Sequence, residues 1–192
     1  MADFSQAYKI TMSNEGGYAH QQNDSGGETW RGIARNFWPE WAGWTIVDAA
    51  NAQHPKNLNQ VLGNNGKLEQ LVLAFYKTEF WDSLSLQAIK NQKLANQLFD
   101  ISVNMGTGTA AKLLQMALNT FPNNSLIVDH IIGRATITAT NNSDQKSLYE
   151  KINEFRKELY NQIIVNNPSQ AVFKDGWMAR IKPFGNNRQS LA

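Results

Sequence analysis

The spacing of apolar residues constrains the fold of this chain most. Across much of its 192 residues, apolar side chains recur three and four positions apart, the period of one face of an α-helix. The clearest stripes predict helices at 3–15, 66–82, 87–104, near 113–121, at 144–165 and after Pro168. Weaker patterns predict two short helices within 45–63 and one helix that starts at Thr29, carries Ile33 and Phe37, and ends at Pro39.

Polar segments interrupt this pattern. Residues 18–29 are rich in Gly, Asn, Asp and Ser, which predicts a loop or a short irregular hairpin. The Asn-rich segments 122–125 and 141–143 are predicted as loops. The fold class that follows is mainly α, with one short polar loop or hairpin.

Composition excludes several kinds of site. The chain has no cysteine, so it has no disulfide scaffold, thiolate metal site or cysteine nucleophile. The three histidines, His20, His54 and His130, show no paired-ligand spacing, and we expect neither a metal nor a cofactor. Eighteen basic residues against sixteen acidic ones give a net charge of +2 without a basic run, so no nucleic-acid partner is expected.

The sequence also bears on where the protein is made. Its first residues lack a basic stretch followed by an apolar run, and no apolar run is long enough for a membrane span. We therefore expect synthesis in the cytoplasm without a signal peptide. Action outside the cytoplasm would need release or non-classical export.

Glu15 is the first residue with unusual chemistry. It continues the apolar stripe of the first predicted helix, which points its side chain inward or into a cleft. It also lies at the carboxyl end of that helix, where the helix dipole is negative. Both features disfavour the ionised carboxylate and raise its pKa, as a general acid that works near neutral pH requires.

Asp24 follows nine residues later, in the polar segment. A loop carboxylate among polar neighbours should stay ionised, so the chain offers two carboxyl groups in contrasting environments, as glycoside hydrolysis needs. Thr29 could hold the attacking water through its hydroxyl. The plainer alternative makes Glu15 a helix-end partner of a lysine and Asp24 a turn residue.

The surrounding motif favours the catalytic interpretation. Three short stretches carry it: Glu15-Gly16-Gly17-Tyr18, Asp24-Ser25-Gly26-Gly27-Glu28-Thr29 and Gly32-Ile33. They resemble the N-terminal signature of glycoside hydrolase family 108, bacterial and phage N-acetylmuramidases of which some are labelled secretion activators. The order Glu, Asp, Thr is also similar to that of phage-type lysozymes, where the threonine follows at a slightly longer spacing.

This resemblance implies a lysozyme-like helical fold and cleavage of the β-1,4 bond from N-acetylmuramic acid to N-acetylglucosamine. It implies that Glu15 is the catalytic acid, with Asp24 and Thr29 completing the site. Tyr18, Trp30 and Arg31 are the expected substrate contacts. The partner is the peptidoglycan glycan strand, met at the cell wall or periplasm by a protein expected to be a monomer.

The later part of the chain resembles the helical peptidoglycan domain that accompanies this family. We therefore predict a catalytic region at 1–90 and a helical, peptidoglycan-binding-like region at 91–192. Asp100 and Asn104, one helical turn apart, are predicted as a buried hydrogen-bonding pair with Arg180 as a partner.

Two other functions remain open at this point. A lytic transglycosylase uses a single acid and no water, and Asp24 and Thr29 argue against it. A non-catalytic wall-binding or secretion-accessory protein could share the fold, and a turbidity assay on purified peptidoglycan separates it from a hydrolase.

Overall fold

The computed structural model describes residues 1–12, 16–20, 26–53 and 55–185, without the side chain of His20. Helix predominates among the described residues, which confirms the predicted mainly-α, lysozyme-like class. The described α-helices are α1 (Phe4–Met12), α2 (Gly43–Asn51), α3 (Leu58–Gly63), α4 (Gly66–Tyr76), α5 (Gln92–Met105), α6 (Thr107–Leu118), α7 (Arg134–Asn142), α8 (Gln145–Asn166) and α9 (Lys174–Ala179). A π-helix (Lys77–Asp82) extends α4, and 3₁₀ turns occupy Leu86–Ala88 and Pro168–Phe173.

The helices predicted at 66–82 and 144–165 lie within one residue of their predicted bounds, whereas α5 begins five residues after the predicted start at 87 and α6 ends three residues before the predicted 121. Residues 13–15 of the first predicted helix lie outside the described residues. Polar side chains mark the starts of several helices. Asn65 accepts from the backbone N–H of Leu68 at the start of α4, at 2.9 Å. Asp144 does the same for Ser147 at the start of α8, at 2.8 Å. The predicted loop at 141–143 is partly wrong, because α7 runs to Asn142.

The helix predicted from Thr29 to Pro39 is wrong. This segment holds two strands of a three-stranded antiparallel sheet, formed by β1 (Tyr18–His20), β2 (Glu28–Trp30) and β3 (Ile33–Ala34). Arg31 and Gly32 form the two-residue turn between β2 and β3, with φ of 46° and 80°. Two successive positive φ values are those of the type I′ turn that suits a tight hairpin, so local turn chemistry overrides the i, i+4 spacing of Ile33 and Phe37.

The chain forms two compact units: Lys9–Glu79 makes one, and Met1–Tyr8 with Phe80–Ala192 makes the other. We call them the sheet unit and the helical unit. These compact units do not test the predicted division into functional regions at 1–90 and 91–192, which stays a prediction.

The first residues of the chain pack within the helical unit. The Phe4 ring lies 5.8 Å from that of Trp81 and 5.7 Å from that of Phe99, with both pairs in edge-to-face orientation. The backbone N–H of Ala2 donates to the carbonyl of Ile89 at 3.0 Å. Aromatic packing and a backbone hydrogen bond thus join segments that are distant in sequence.

A polar network lies inside the helical unit. Asp100 accepts from Arg156 at 2.7 Å and from Arg180 at 2.8 Å, and Arg156 is only 1% exposed. The Tyr160 hydroxyl accepts from Arg156 and donates to Asn104. The predicted partnership of Asp100 with Arg180 is confirmed, whereas Asn104 bonds to Tyr160 and Arg156 is an additional member.

No helix in the described part of the chain has both the length and the apolar character that a membrane crossing requires.

Candidate active site

Glu15 and Asp24 lie outside the described residues, in segments 13–15 and 21–25. Both segments lie close to β1 along the chain: Gly16 and Gly17 separate the first from β1, and the second begins directly after β1 and leads through Gly26 and Gly27 to β2. The described strands therefore fix the chain on both sides of the segment that carries Asp24.

Strand register decides which side chains of the sheet lie together. Tyr18 pairs with Trp30, Ala19 with Thr29, and His20 with Glu28. Because successive side chains on a strand alternate between faces, Thr29 lies on one face and Glu28 and Trp30 lie on the other. Thr29 is half-buried and has only alanines opposite it, Ala19 on β1 and Ala34 on β3.

Tyr18 is held at both its backbone and its side chain. Its N–H donates to Asn59 Oδ1 at 2.6 Å, and its hydroxyl hydrogen-bonds to Glu28. Burial, with this bond and the charge of Glu28, raises the pKa of Tyr18 to about 12. The approach of Asn59 requires glycine at position 17, where a Cβ would lie 2.2 Å from Asn59 Oδ1.

The other predicted substrate contacts, Trp30 and Arg31, are engaged within the protein. Trp30 is 2% exposed, and this burial weighs against contact between its ring and a sugar. Arg31 pairs with Glu69, and its carbonyl accepts from the Tyr76 hydroxyl at 2.7 Å. The charge of Arg31 thus already has a partner within the sheet unit.

An ion-pair cluster on the Glu28 face was not anticipated from the sequence. Arg35, just after β3, lies between Glu28 and Asp48. Burial lowers the pKa of Arg35, but the hydrogen bond to Asp48 and the charges of Glu28 and Asp48 outweigh it and raise the pKa overall. Glu28 lies two residues before Trp30, so the two side chains fall on the same face of the strand. An acid at such a position is the signal that could have indicated this cluster.

Exposed aromatic side chains follow the hairpin. Phe37 is 66% exposed and Trp38 is 36% exposed. Trp38 packs edge-on against Phe75 at 4.9 Å, and its carbonyl accepts from Trp44 Nε1 at 2.7 Å. This packing fixes an aromatic surface of the kind that sugars contact through their C–H groups.

Comparisons with known proteins identify the family. The model described as Glycosyl hydrolase 108 matches residues 8–106, and that described as Predicted Peptidoglycan domain matches residues 109–182. No curated protein matches this chain in sequence. Among solved structures, SagA of Brucella abortus is similar, with a TM-score of 0.62 and 19% identity over 93% of this chain and 88% of that one. At this identity the likeness shows the fold.

The first family model covers more than half of the chain, and it contains the Glu15 motif, the Asp24 motif and the whole sheet. The second covers most of the helical segment that was predicted to accompany it. The chain therefore belongs to the glycosyl hydrolase 108 family and is a peptidoglycan hydrolase of the N-acetylmuramidase type, with peptidoglycan as its partner.

Proposed function

We propose that Glu15 is the general acid of this muramidase, that Asp24 activates or orients the attacking water, and that Thr29 helps to place that water. The observation that carries the proposal is the pairing of β1 with β2, with Thr29 opposite Ala19. This pairing anchors the chain directly before and shortly after the segment that carries Asp24, and it presents Thr29 on one face of the sheet.

The reaction then follows the usual logic of an acid–base pair. Glu15 gives its proton to the glycosidic oxygen as the bond from that oxygen to the N-acetylmuramic acid C1 breaks. The water oxygen bonds to C1, and Asp24 takes the proton that the water loses. If the reaction inverts the configuration at C1, the two carboxyl groups should lie roughly 6.5–9.5 Å apart, which leaves room for the water.

We propose that the Tyr18 ring and the Arg31 guanidinium contact the glycan strand, and that Trp30 supports them from the core. We further propose that the protein acts as a monomer at the cell wall or periplasm after release or non-classical export. Light scattering of the purified protein tests whether it is a monomer. Fractionation of producing cells tests where it acts.

Substitution of the acid tests the mechanism. Glu15→Gln keeps the size of the side chain but cannot act as the same proton donor, so turbidity loss of purified peptidoglycan should slow by about 10²–10⁴-fold. Asp24→Asn should slow it less, and Thr29→Ala least. Glu40→Gln, at an exposed position of the sheet unit, is the matched control and should keep wild-type activity.

Full lytic activity in a folded Glu15→Gln protein would overturn the assignment of the acid. Mass analysis of the fragments adds an independent test, because anhydro-muramyl ends would indicate transglycosylation in place of hydrolysis.

A further inference from the structure

Arg35 bridges two acidic side chains within the sheet unit. Its Nε lies 2.5 Å from Glu28 Oε2, and its two terminal nitrogens contact both carboxylate oxygens of Asp48, at 2.5 and 3.2 Å. Its backbone N–H also donates to the Glu28 carbonyl at 2.7 Å. The guanidinium stands over the Trp44 ring, 4.3 Å from its centroid. Arg35 thus joins β2 to α2, with Asp48 bound in the two-pronged geometry that only arginine provides.

Burial makes this bridge asymmetric. The Glu28 side chain is 12% exposed, that of Arg35 is 29% exposed, and that of Asp48 is 59% exposed. Water therefore screens the Asp48 end far more than the Glu28 end. The Tyr18 hydroxyl also bonds to Glu28, so the shielded end of the bridge reaches β1 as well.

The position of Glu28 in the chain gives this bridge a consequence for the reaction. Glu28 is the first residue of β2: only Gly26 and Gly27 separate it from the segment 21–25 that carries Asp24, and it directly precedes Thr29. Its side chain lies on the face opposite Thr29, so it acts on Thr29 through the backbone and not by contact.

We propose that Arg35 is a positioning residue for hydrolysis: by tying Glu28 to α2 through Asp48, it fixes the strand that presents Thr29, the strand that follows Asp24 along the chain. This inference rests on the proposed roles of Asp24 and Thr29. Productive geometry must be held within fractions of an ångström, so loss of the bridge should lower kcat and leave the binding of glycan largely unchanged.

The test is steady-state kinetics on peptidoglycan fragments with Arg35→Gln, Arg35→Lys and Glu28→Gln. We expect Arg35→Gln to lower kcat by roughly 10- to 100-fold, with KM within about twofold of wild type. Arg35→Lys should recover part of kcat, because it keeps the charge but not the two-pronged contact. Glu28→Gln should lower kcat as Arg35→Gln does. If Arg35→Gln fails to fold, the kcat of Glu28→Gln tests the proposal in its place.

Lys67→Gln removes a positive charge from an exposed position on α4 and should match wild type. Kinetics are normalised to the folded fraction measured by circular dichroism. A kcat that falls only in proportion to that fraction, or a rise in KM at constant kcat, would overturn the positioning role.

Glu15→Gln is assayed in parallel to separate the two proposals. If Glu15→Gln is inactive while folded Arg35→Gln and Glu28→Gln keep the wild-type kcat, only the positioning role fails. If Glu15→Gln keeps full activity, the proposed catalytic assignment fails instead.

Discussion

Both compact units contain a triad of arginine and carboxylate side chains, and the two triads have opposite composition. In the helical unit, Asp100 lies between Arg156 and Arg180. In the sheet unit, Arg35 lies between Glu28 and Asp48. The first carries one excess positive charge and the second one excess negative charge.

Burial and sequence separation distinguish the roles of the two triads. Arg156 is 1% exposed, and the partners of Asp100 are 56 and 80 residues away along the chain. Asp48 is 59% exposed and lies 13 residues from Arg35. The helical triad joins segments distant in sequence around a buried guanidinium, where loss of the opposite charge is costly, whereas the sheet triad joins β2 to α2 and is open to water at Asp48. The setting of an ion pair, more than its composition, thus decides what it contributes to stability.

The largest expected effect is on the stability of the helical unit. Asp100→Asn leaves the buried guanidinium of Arg156 without an opposite charge, which should lower the free energy of unfolding by about 3–5 kcal/mol. Urea denaturation followed by circular dichroism measures it. Glu28→Gln should cost less, about 1–2 kcal/mol, because its triad is partly exposed.

Glu154→Gln, which breaks the exposed pair with Lys151, is the control and should cost less than about 1 kcal/mol. Equal losses for Asp100→Asn and Glu28→Gln would remove the distinction between the two triads.

A smaller effect is expected at the other anchor of the sheet unit, where Asn59 holds Tyr18. Gly17→Ala would push the Asn59 side chain away, and Asn59→Ala removes it, so each should cost about 1 kcal/mol through the same lost hydrogen bond. The double variant should therefore cost little more than either single one in a double-mutant cycle. Additive losses would show that Gly17 and Asn59 act independently.

The smallest expected effect is in the absorbance titration of Tyr18, one of five tyrosines. The difference in absorbance between wild type and Tyr18→Phe, followed through a pH titration, should show a step at about pH 12. Because the folded pKa is raised, the associated stability is fully present below pH 10, the ordinary value, and is lost as pH rises through about 12.

Glu28→Gln should move this step downward. Burial is the main cause of the raised pKa values of Tyr149 and Tyr160 in the helical unit, so their titration should not change. A Tyr18 step that does not move in Glu28→Gln would contradict the contact with Glu28.

The sequence predicts the helices better than it predicts the sheet. The stripe of α8 is long, so its period is unambiguous, and its observed bounds, Gln145–Asn166, lie close to the predicted 144–165. The hairpin depends on a positive φ at Arg31, and no local sequence pattern indicates that conformation. The sequence pattern does not predict α7, which is rich in threonine, a residue of low helix propensity. In the folded chain Thr140 is buried, and its hydroxyl donates to the Thr136 carbonyl one turn earlier.

The site shows the same limit. The motifs predict which residue types act, but long-range partners such as Asn59 and Asp48 emerge only once the chain is folded. Arg156 was foreseeable, because it continues the buried stripe of Leu148 and Ile152, where a charge requires a buried acid. Asp100 supplies that acid from a helix far away in sequence, and no local spacing specifies that pairing.

The contacts of Phe4 and Ala2 have a consequence for the order of folding. The helical unit is discontinuous in sequence, since Lys9–Glu79 is inserted between its first segment and the rest. On the ribosome, where chains grow by about 5–20 residues per second, the sheet unit is complete before the residues that receive Phe4 emerge. Closure of that long loop slows folding, because its entropy is lost before the contacts form. The segment Met1–Tyr8 should therefore pack against the rest of the helical unit late in folding. Until then the Phe4 side chain stays exposed to chaperones.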